Sequence, residues 1–157
     1  MDKLAKITEI KYILIDVDGI LTDGKIYYTH RGEVFKGFCS KDVRAIRELI
    51  SYGYEVILIT ASSWPGAAHF AAKTGAEIFT FRNKLKILEY IKHNRFIAVG
   101  DDVWDLQLMQ LASVAFTTVD ADDRLFLSLN DNLVILKTKG GEGVIADMVA
   151  LMFNGEN

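Results

Sequence analysis

The stretch Tyr12-Ile13-Leu14-Ile15-Asp16-Val17-Asp18-Gly19-Ile20-Leu21-Thr22-Asp23-Gly24 decides how this chain folds. Four apolar residues run straight into two carboxylates one residue apart, and glycines follow to bend the chain away. An uninterrupted apolar run of that length reads as a strand buried on both faces, as in a parallel sheet. Side chains i and i+2 of a strand share a face, so Asp16 and Asp18 are expected at one site on the sheet edge, with Val17 turned into the core. Carboxylate oxygens suit a hard cation such as Mg²⁺, which is usually held by one or two carboxylates together with a substrate phosphate. An aspartate can also attack phosphorus and carry an aspartyl phosphate. Taken alone, the stretch is a moderate signal that a polar turn built on Asp and Gly would also produce, so the decision rests on what accompanies it.

Outward from it, apolar runs of strand length alternate with segments of helical periodicity. Strands are expected over 12–15, 55–60, 77–80, 96–99, 114–117 and 133–136, and helices over 42–52, 64–74, 83–93, 103–111, 121–128 and 142–153. This alternation predicts an α/β fold, a doubly wound parallel sheet of Rossmann-like type covered by helices on both faces. Ligands of such sheets bind beyond the carboxyl ends of the strands. One segment breaks the rhythm. Residues 25–29 and 33–37 read as two short strands around His30-Arg31-Gly32, a protruding β-hairpin that would expose Tyr27, Tyr28, Val34, Phe35 and Phe38. Apolar surface on such a projection fits an interface and fits equally a hairpin folded back on its own domain.

The composition narrows the function classes. The 157 residues fit one domain, expected to span 1–157, and half of them are apolar. Eighteen basic residues against 21 acidic ones, with no run of Lys or Arg, argue against a nucleic-acid partner. Cys39 is the single cysteine, so no intrachain disulfide and no zinc cluster is expected. With no stretch of 18 apolar residues and no signal-peptide pattern, a cytoplasmic location without membrane contact is expected.

Three further segments end strands in polar residues. Val56-Ile57-Leu58-Ile59-Thr60 closes on a hydroxyl able to donate to a phosphate oxygen. In Asn83-Lys84-Leu85 the asparagine is a good N-cap, which makes Lys84 the first helical residue, at the edge that carries Asp16; Lys86 is its rival. Val99-Gly100-Asp101-Asp102-Val103-Trp104-Asp105 packs three carboxylates around a helix start. Acids there favour the helix dipole, but capping needs one or two, and three repel one another unless a cation joins them. Trp64 and Trp104 are expected to pack on neighbours, and Leu106, Met109 and Leu111 to form helix core. Asp120 to Asp123 with Arg124 should cap a short helix.

Taken in order, Asp16 and Asp18, Thr60, Lys84, then Asp101 form a pattern that resembles the haloacid dehalogenase superfamily of phosphohydrolases over nearly the whole chain. About 40 residues separate Asp18 from Thr60, and the hairpin with one helix consumes them, so the chain looks like a capless member. Within the superfamily it is most similar to the 3-deoxy-D-manno-octulosonate 8-phosphate phosphatase family and its relatives acting on nonulosonate 9-phosphates. That likeness rests on Asp16 to Gly24, Gly32-Glu33-Val34-Phe35-Lys36-Gly37-Phe38, Asp42 with Ile46 and Arg47, Asn83-Lys84-Leu85, Gly100 to Asp105, and Gly140-Gly141-Glu142-Gly143.

The resemblance implies a Mg²⁺-dependent phosphatase of a small sugar-acid phosphate, with Asp16 as nucleophile and Asp18 as general acid and base. It also implies that Asp18 lends its backbone carbonyl to the metal, that Thr60 and Lys84 hold the phosphoryl group, and that Asp101 joins Asp16 and Asp18 at the metal, with Asp102 and Asp105 supporting. A homotetramer assembled through the 25–38 hairpin is implied as well. The chain departs from the family in following Thr60 with Ala61-Ser62-Ser63 where a glycine and an arginine are usual, and in reading Cys39-Ser40-Lys41-Asp42-Val43-Arg44 before the first helix. An arginine suits a sugar-acid carboxylate through its bidentate fork, so Lys41 or Arg44 would substitute for it, and Asp42, which carries part of the likeness, joins them as a candidate for substrate contact. Two other readings fit the altered loops: a phosphatase of a different small ester, or an oligomeric partner-binding domain with negligible activity.

Overall fold

The computed structural model describes residues 9–32, 34–129 and 131–154. The central strand is β1 (Tyr12–Asp16), buried along its whole length. It pairs in parallel with β4 (Glu55–Thr60) on one side and β6 (Phe96–Val99) on the other. The sheet is completed by β5 (Glu77–Thr80), β7 (Val114–Thr117) and β8 (Leu133–Ile135) in the order β5-β4-β1-β6-β7-β8, every pair parallel. The chain winds outward to β5, returns past β1 to β6, and winds outward again, so the order reverses around β1. Asp16 stands opposite Ile59 and Thr60 opposite Thr80, and Val99 stands opposite Ile15. The polar residues that end β1 and β4 therefore emerge at one edge, with the β6 turn beside them.

Alternate strand residues feed two apolar layers. Ile13, Ile15, Val56, Leu58 and Ile97 pack with α1 (Ser40–Ser51), α2 (Pro65–Thr74) and α6 (Val144–Asn154). Tyr12, Leu14, Ile57, Ile59 and Ala98 pack with α3 (Ile87–Tyr90), α4 (Val103–Leu111) and α5 (Asp123–Ser128). This is the expected doubly wound α/β fold, and Val17 joins the first layer as expected. None of the described helices is long and apolar enough to cross a membrane.

Element ends differ from the sequence pattern for local reasons. The expected helix over 83–93 is a 3₁₀ turn (Lys84–Lys86) followed by the single turn α3, and Lys92 and His93 take left-handed φ values of 51° and 54° that stop it. The acidic run does cap a helix, but through Asp122, whose side chain accepts from the Arg124 amide and pairs with its guanidinium, so α5 starts at Asp123 and not at Ala121. Leu111 is exposed, not core, because it lies on the outer face of the last turn of α4.

The hairpin is shorter than expected: β2 is Tyr27–Tyr28 and β3 is Val34–Phe35, paired antiparallel, while Glu33 lies outside the described residues. Tyr27 stacks on Phe35 at 5.4 Å and donates its hydroxyl to Asp23. Ile26, Tyr28 and Phe35 are more than half exposed. Phe38 is not part of this patch, because it stacks on Phe70 of α2 at 4.1 Å and on Trp64 at 5.8 Å.

Asp42 lies in the first turn of α1 but is fully buried against the start of α6, where its Oδ1 accepts from the Ala146 amide at 3.0 Å and its Oδ2 has no hydrogen-bond partner among the described residues. Burial pushes this carboxyl up to about 6, with the Ala146 and Ile145 amides offsetting part of the cost. Because the unfolded chain ionises near 3.8, the stability that the neutral carboxyl confers is present below about pH 4 and is lost as pH rises toward 6. The Asp42→Asn variant keeps the acceptor and removes the charge, so its melting temperature should fall less than that of the unmodified chain between pH 4 and pH 6.5. Thermal unfolding across that range checks this, and parallel pH profiles for the two proteins would contradict it.

Candidate active site

The chain leaves β1 at Asp16 and makes one wide turn, Val17–Leu21, broken by extended backbone at Asp18 and a left-handed Gly19 (φ 91°). Gly19 is required twice over: its φ favours glycine, and a Cβ there would overlap the Asp101 carboxylate. The Thr22 hydroxyl accepts from the Gly19 and Gly24 amides and ties the turn together. The loop before α6 braces it from above, with the Gly141 amide donating to the Ile20 carbonyl, and a Cβ on Gly140 would strike the Gly19 carbonyl. The glycine-rich loop over 140–143 thus sits against the Asp16–Asp18 turn, although more than 100 residues separate them.

Lys84 reaches this edge from the β5 side. Asn83 caps the turn by accepting from the Leu85 amide, as its position suggested, and Lys84 is buried while Lys86 stays exposed. The Lys84 Nζ donates to Asp16 Oδ1 at 2.5 Å and to Asp105 Oδ1. Of the two rival lysines, Lys84 is the one beside Asp16. From β6, Gly100 leads into Asp101 and Asp102, and the Gly100 carbonyl is held by the Thr117 hydroxyl at 2.7 Å. Asp102 caps α4 by accepting from the Val103 amide, while Asp105 Oδ2 accepts from the Asp101 and Asp102 amides, a reciprocal capping box. Asp105 therefore joins two structures at once, the helix start through one oxygen and Lys84 through the other.

Carboxylate oxygens of Asp16, Asp101 and Asp105 lie within 4.8 Å of one another. Burial, then the neighbouring Asp105 and Asp101 charges, raise the Asp16 carboxyl well above its ordinary range even though Lys84 pulls it down. Burial and Asp105 push Asp101 up to about 7. Burial alone would lower Lys84, but Asp16 and Asp105 override it and hold the ammonium above its ordinary range. Asp101 Oδ1 is buried with no hydrogen-bond partner among the described residues. One ammonium among three carboxylates leaves an excess of negative charge out of water, and an orphaned oxygen facing it fits a hard divalent cation bound by oxygen.

Above these groups opens a cleft of about 360 Å³ lined by Asp16, Asp18, Thr60, Ala61, Ser62, Lys84, Asp102 and Trp104. Five sequence-derived candidates, Asp16, Asp18, Thr60, Lys84 and Asp102, thus share one cleft, with Asp101 and Asp105 beside Asp16. The Thr60 hydroxyl accepts from the Ser62 amide at 3.0 Å and keeps its own proton for another acceptor. The Asp18 side chain does not join the three-carboxylate cluster; it turns to Lys36, whose Nζ lies 2.7 Å from its Oδ1 and 5.3 Å from the Trp64 ring centre.

Lys36 is a site residue that the sequence reading passed over, and its signal was being the one charge in Val34-Phe35-Lys36-Gly37-Phe38. Trp64 packs on Phe38 as expected, whereas Trp104 is 76% exposed and lines the cleft instead of packing. Lys41, Asp42 and Arg44 do not line the cleft. All three lie early in α1, where Asp42 turns inward to cap α6, Lys41 lies along Gly143, and Arg44 points to solvent.

No protein-family model matches the chain. Its curated relatives include the 3-deoxy-D-manno-octulosonate 8-phosphate phosphatase KdsC of Haemophilus influenzae, 27% identical over 96% of this chain and 87% of that protein. The enzyme of the same name from Escherichia coli K12 is 27% identical over 96% of this chain and 83% of that protein. Among solved structures, the 3-deoxy-D-manno-octulosonate 8-phosphate phosphatase of Moraxella catarrhalis, in complex with magnesium, phosphate and KDO, superposes with a TM-score of 0.88 at 24% identity, covering 99% of this chain and 92% of that one. The cobalt-bound Haemophilus influenzae phosphatase superposes with a TM-score of 0.83, also at 24% identity, over 98% and 91% of the two chains. The chain has the fold of the haloacid dehalogenase hydrolases and is, over nearly its whole length, a homologue of phosphatases named for 3-deoxy-D-manno-octulosonate 8-phosphate.

Proposed function

We propose that this chain is a Mg²⁺-dependent phosphomonoesterase that acts on a sugar-acid phosphate of the 3-deoxy-D-manno-octulosonate 8-phosphate type through an aspartyl phosphate. The observation that carries the reading is the cluster of Asp16, Asp101 and Asp105 around the Lys84 ammonium at the mouth of a cleft. The relatives' names point to the same reaction.

In this reading Asp16 and Asp101, with the Asp18 backbone carbonyl, hold the ion, and Asp102 and Asp105 support that set by fixing the turn. When bound, Mg²⁺ supplies charge neutralisation at the phosphoryl oxygens. The chain's own residues do the rest. Lys84 holds the Asp16 carboxylate in place and offers its ammonium to a phosphoryl oxygen, and Thr60 donates its free hydroxyl proton to another. A carboxylate oxygen of Asp16 forms a bond to phosphorus as the ester P–O bond breaks, and Asp18 delivers a proton to the departing alkoxide. Asp18, now a carboxylate, takes a proton from water as that water attacks phosphorus and releases Asp16. Lys36 holds the Asp18 side chain on the open side of the cleft between these steps.

A homotetramer through the 25–38 hairpin goes with this reading, supported by the exposed Ile26, Tyr28 and Phe35. A cytoplasmic setting goes with it too, supported by the lone cysteine. The site roles favour catalysis over a partner-binding domain without activity, because Asp16, Asp18, Lys84 and Asp105 are each oriented by a hydrogen bond or ion pair.

Asp16→Asn should lower phosphate release by roughly 10³-fold or more while leaving the circular dichroism spectrum unchanged; retained turnover would remove Asp16 from the nucleophile's role. Metal binding displaces protons from carboxyl ligands. With Asp101 at about 7, Mg²⁺ affinity measured by calorimetry should weaken as pH falls from 8 to 6. The loss should approach about tenfold per pH unit once the carboxyl is mostly protonated, and an affinity independent of pH over that range would contradict Asp101 as a ligand.

A further inference from the structure

Among the described residues, no unpaired cation lines the catalytic cleft to meet the substrate's carboxylate. Ala61, Ser62 and Thr60 line its β4 side, Lys84 is committed to Asp16 and Asp105, and Lys36 to Asp18. A second groove, of about 540 Å³, opens between the β5–α3 connection and α4 and adjoins the cleft, with Lys84 and Trp104 lining both. Its polar lining includes Arg82, Asn83 and Gln107, and its apolar lining includes Leu85 and Leu106. Arg82 is exposed, lies two residues past the end of β5, and makes no ion pair among the described residues. Trp104 presents its ring between cleft and groove, 76% exposed, which is costly for a large apolar side chain with nothing to cover.

We propose that this groove is the leaving-group subsite, in which Arg82 binds the carboxylate of the sugar acid while Trp104 covers an apolar face of its carbon chain and Gln107 takes its hydroxyls. The subsite rests on the phosphatase reading above. A guanidinium offers two parallel N–H donors matched to a carboxylate, and an indole face next to polar side chains suits the mixed apolar and hydroxylated surface of a sugar. Position supports the assignment: Arg82 is two residues before Lys84, so the group that holds the carboxylate and the group that holds the phosphoryl share one short, capped connection. The cation missing after Thr60 is thus supplied by the neighbouring strand's loop.

The experiment compares the full chain with its Arg82→Ala and Arg82→Lys variants on octulosonate 8-phosphate and on the analogue whose carboxylate is reduced to an alcohol. A charged hydrogen-bonded pair is commonly strong enough to change affinity about tenfold or more. The acid-over-alcohol preference in kcat/KM should therefore fall about tenfold in Arg82→Ala, through KM for the acid, with Arg82→Lys between the two. An unchanged preference in Arg82→Ala overturns the subsite. Calorimetry with free octulosonate, which carries no phosphate, separates this proposal from the reaction. Binding that weakens in Arg82→Ala upholds the subsite even if no ester is hydrolysed, a result that would sink only the phosphatase reading. Absence of octulosonate binding to the unmodified chain overturns the subsite.

Discussion

The Lys84 ammonium between Asp16 and Asp105 is the contact on which the rest of the site depends. It joins the end of β1, the β5–α3 connection and the first turn of α4, three segments with no local reason to meet. Breaking one partner of a buried ion pair leaves an uncompensated charge and is strongly destabilising. The pair is also incomplete: Asp101 adds a third carboxylate and finds no donor for its buried Oδ1. Left to itself the cluster favours protons on Asp16 and Asp101 that these two carboxyls would shed in water. The fold thus maintains a pocket whose favourable partner is a dication, and whose protein atoms are already aimed at it.

Around this pair, close approach replaces side chains with glycines. Gly19 brings its backbone under the Asp101 carboxylate, Gly100 leaves room for that of Asp105, and Gly140 presses on the Gly19 carbonyl. Each is a place where a methyl group would displace either a carboxylate of the cluster or the turn that aims it. The sheet order explains why they converge, since the winding reverses around β1 and leaves its end as the floor of a crevice walled by the β4 and β6 turns.

Much of this was legible in the sequence, because buried parallel strands announce themselves as unbroken apolar runs and the residues that follow them share an edge. Asp16, Asp18, Thr60, Lys84, Asp101, Asp102 and Asp105 could be placed there from position alone. Asp42 could not. Its place in the altered segment before the first helix made it a candidate substrate contact, but the side of α1 it occupies faces α6, and a helix periodicity does not say which partner covers a given face. Lys36 was hidden for a related reason: an interior lysine in a short strand pattern does not reveal that the hairpin bends its stem back toward Asp18. The exposure of Trp104 was likewise invisible, since an aromatic in the first turn of a helix has the same pattern whether it is covered or bare.

The span of chain between interacting groups has a consequence for how the molecule forms. Lys84 meets Asp16 across 68 positions, and Ala146 meets Asp42 across 104. Contacts this distant in sequence pay for loop closure before they give anything back, which slows folding relative to locally wired folds. No fragment ending before the β6–α4 connection contains the charge cluster. Any ion that recognises it binds only the finished native state and, by mass action, drains the unfolded population toward that state. Divalent cation concentration thereby becomes a selector of the completed fold as much as a participant in its chemistry.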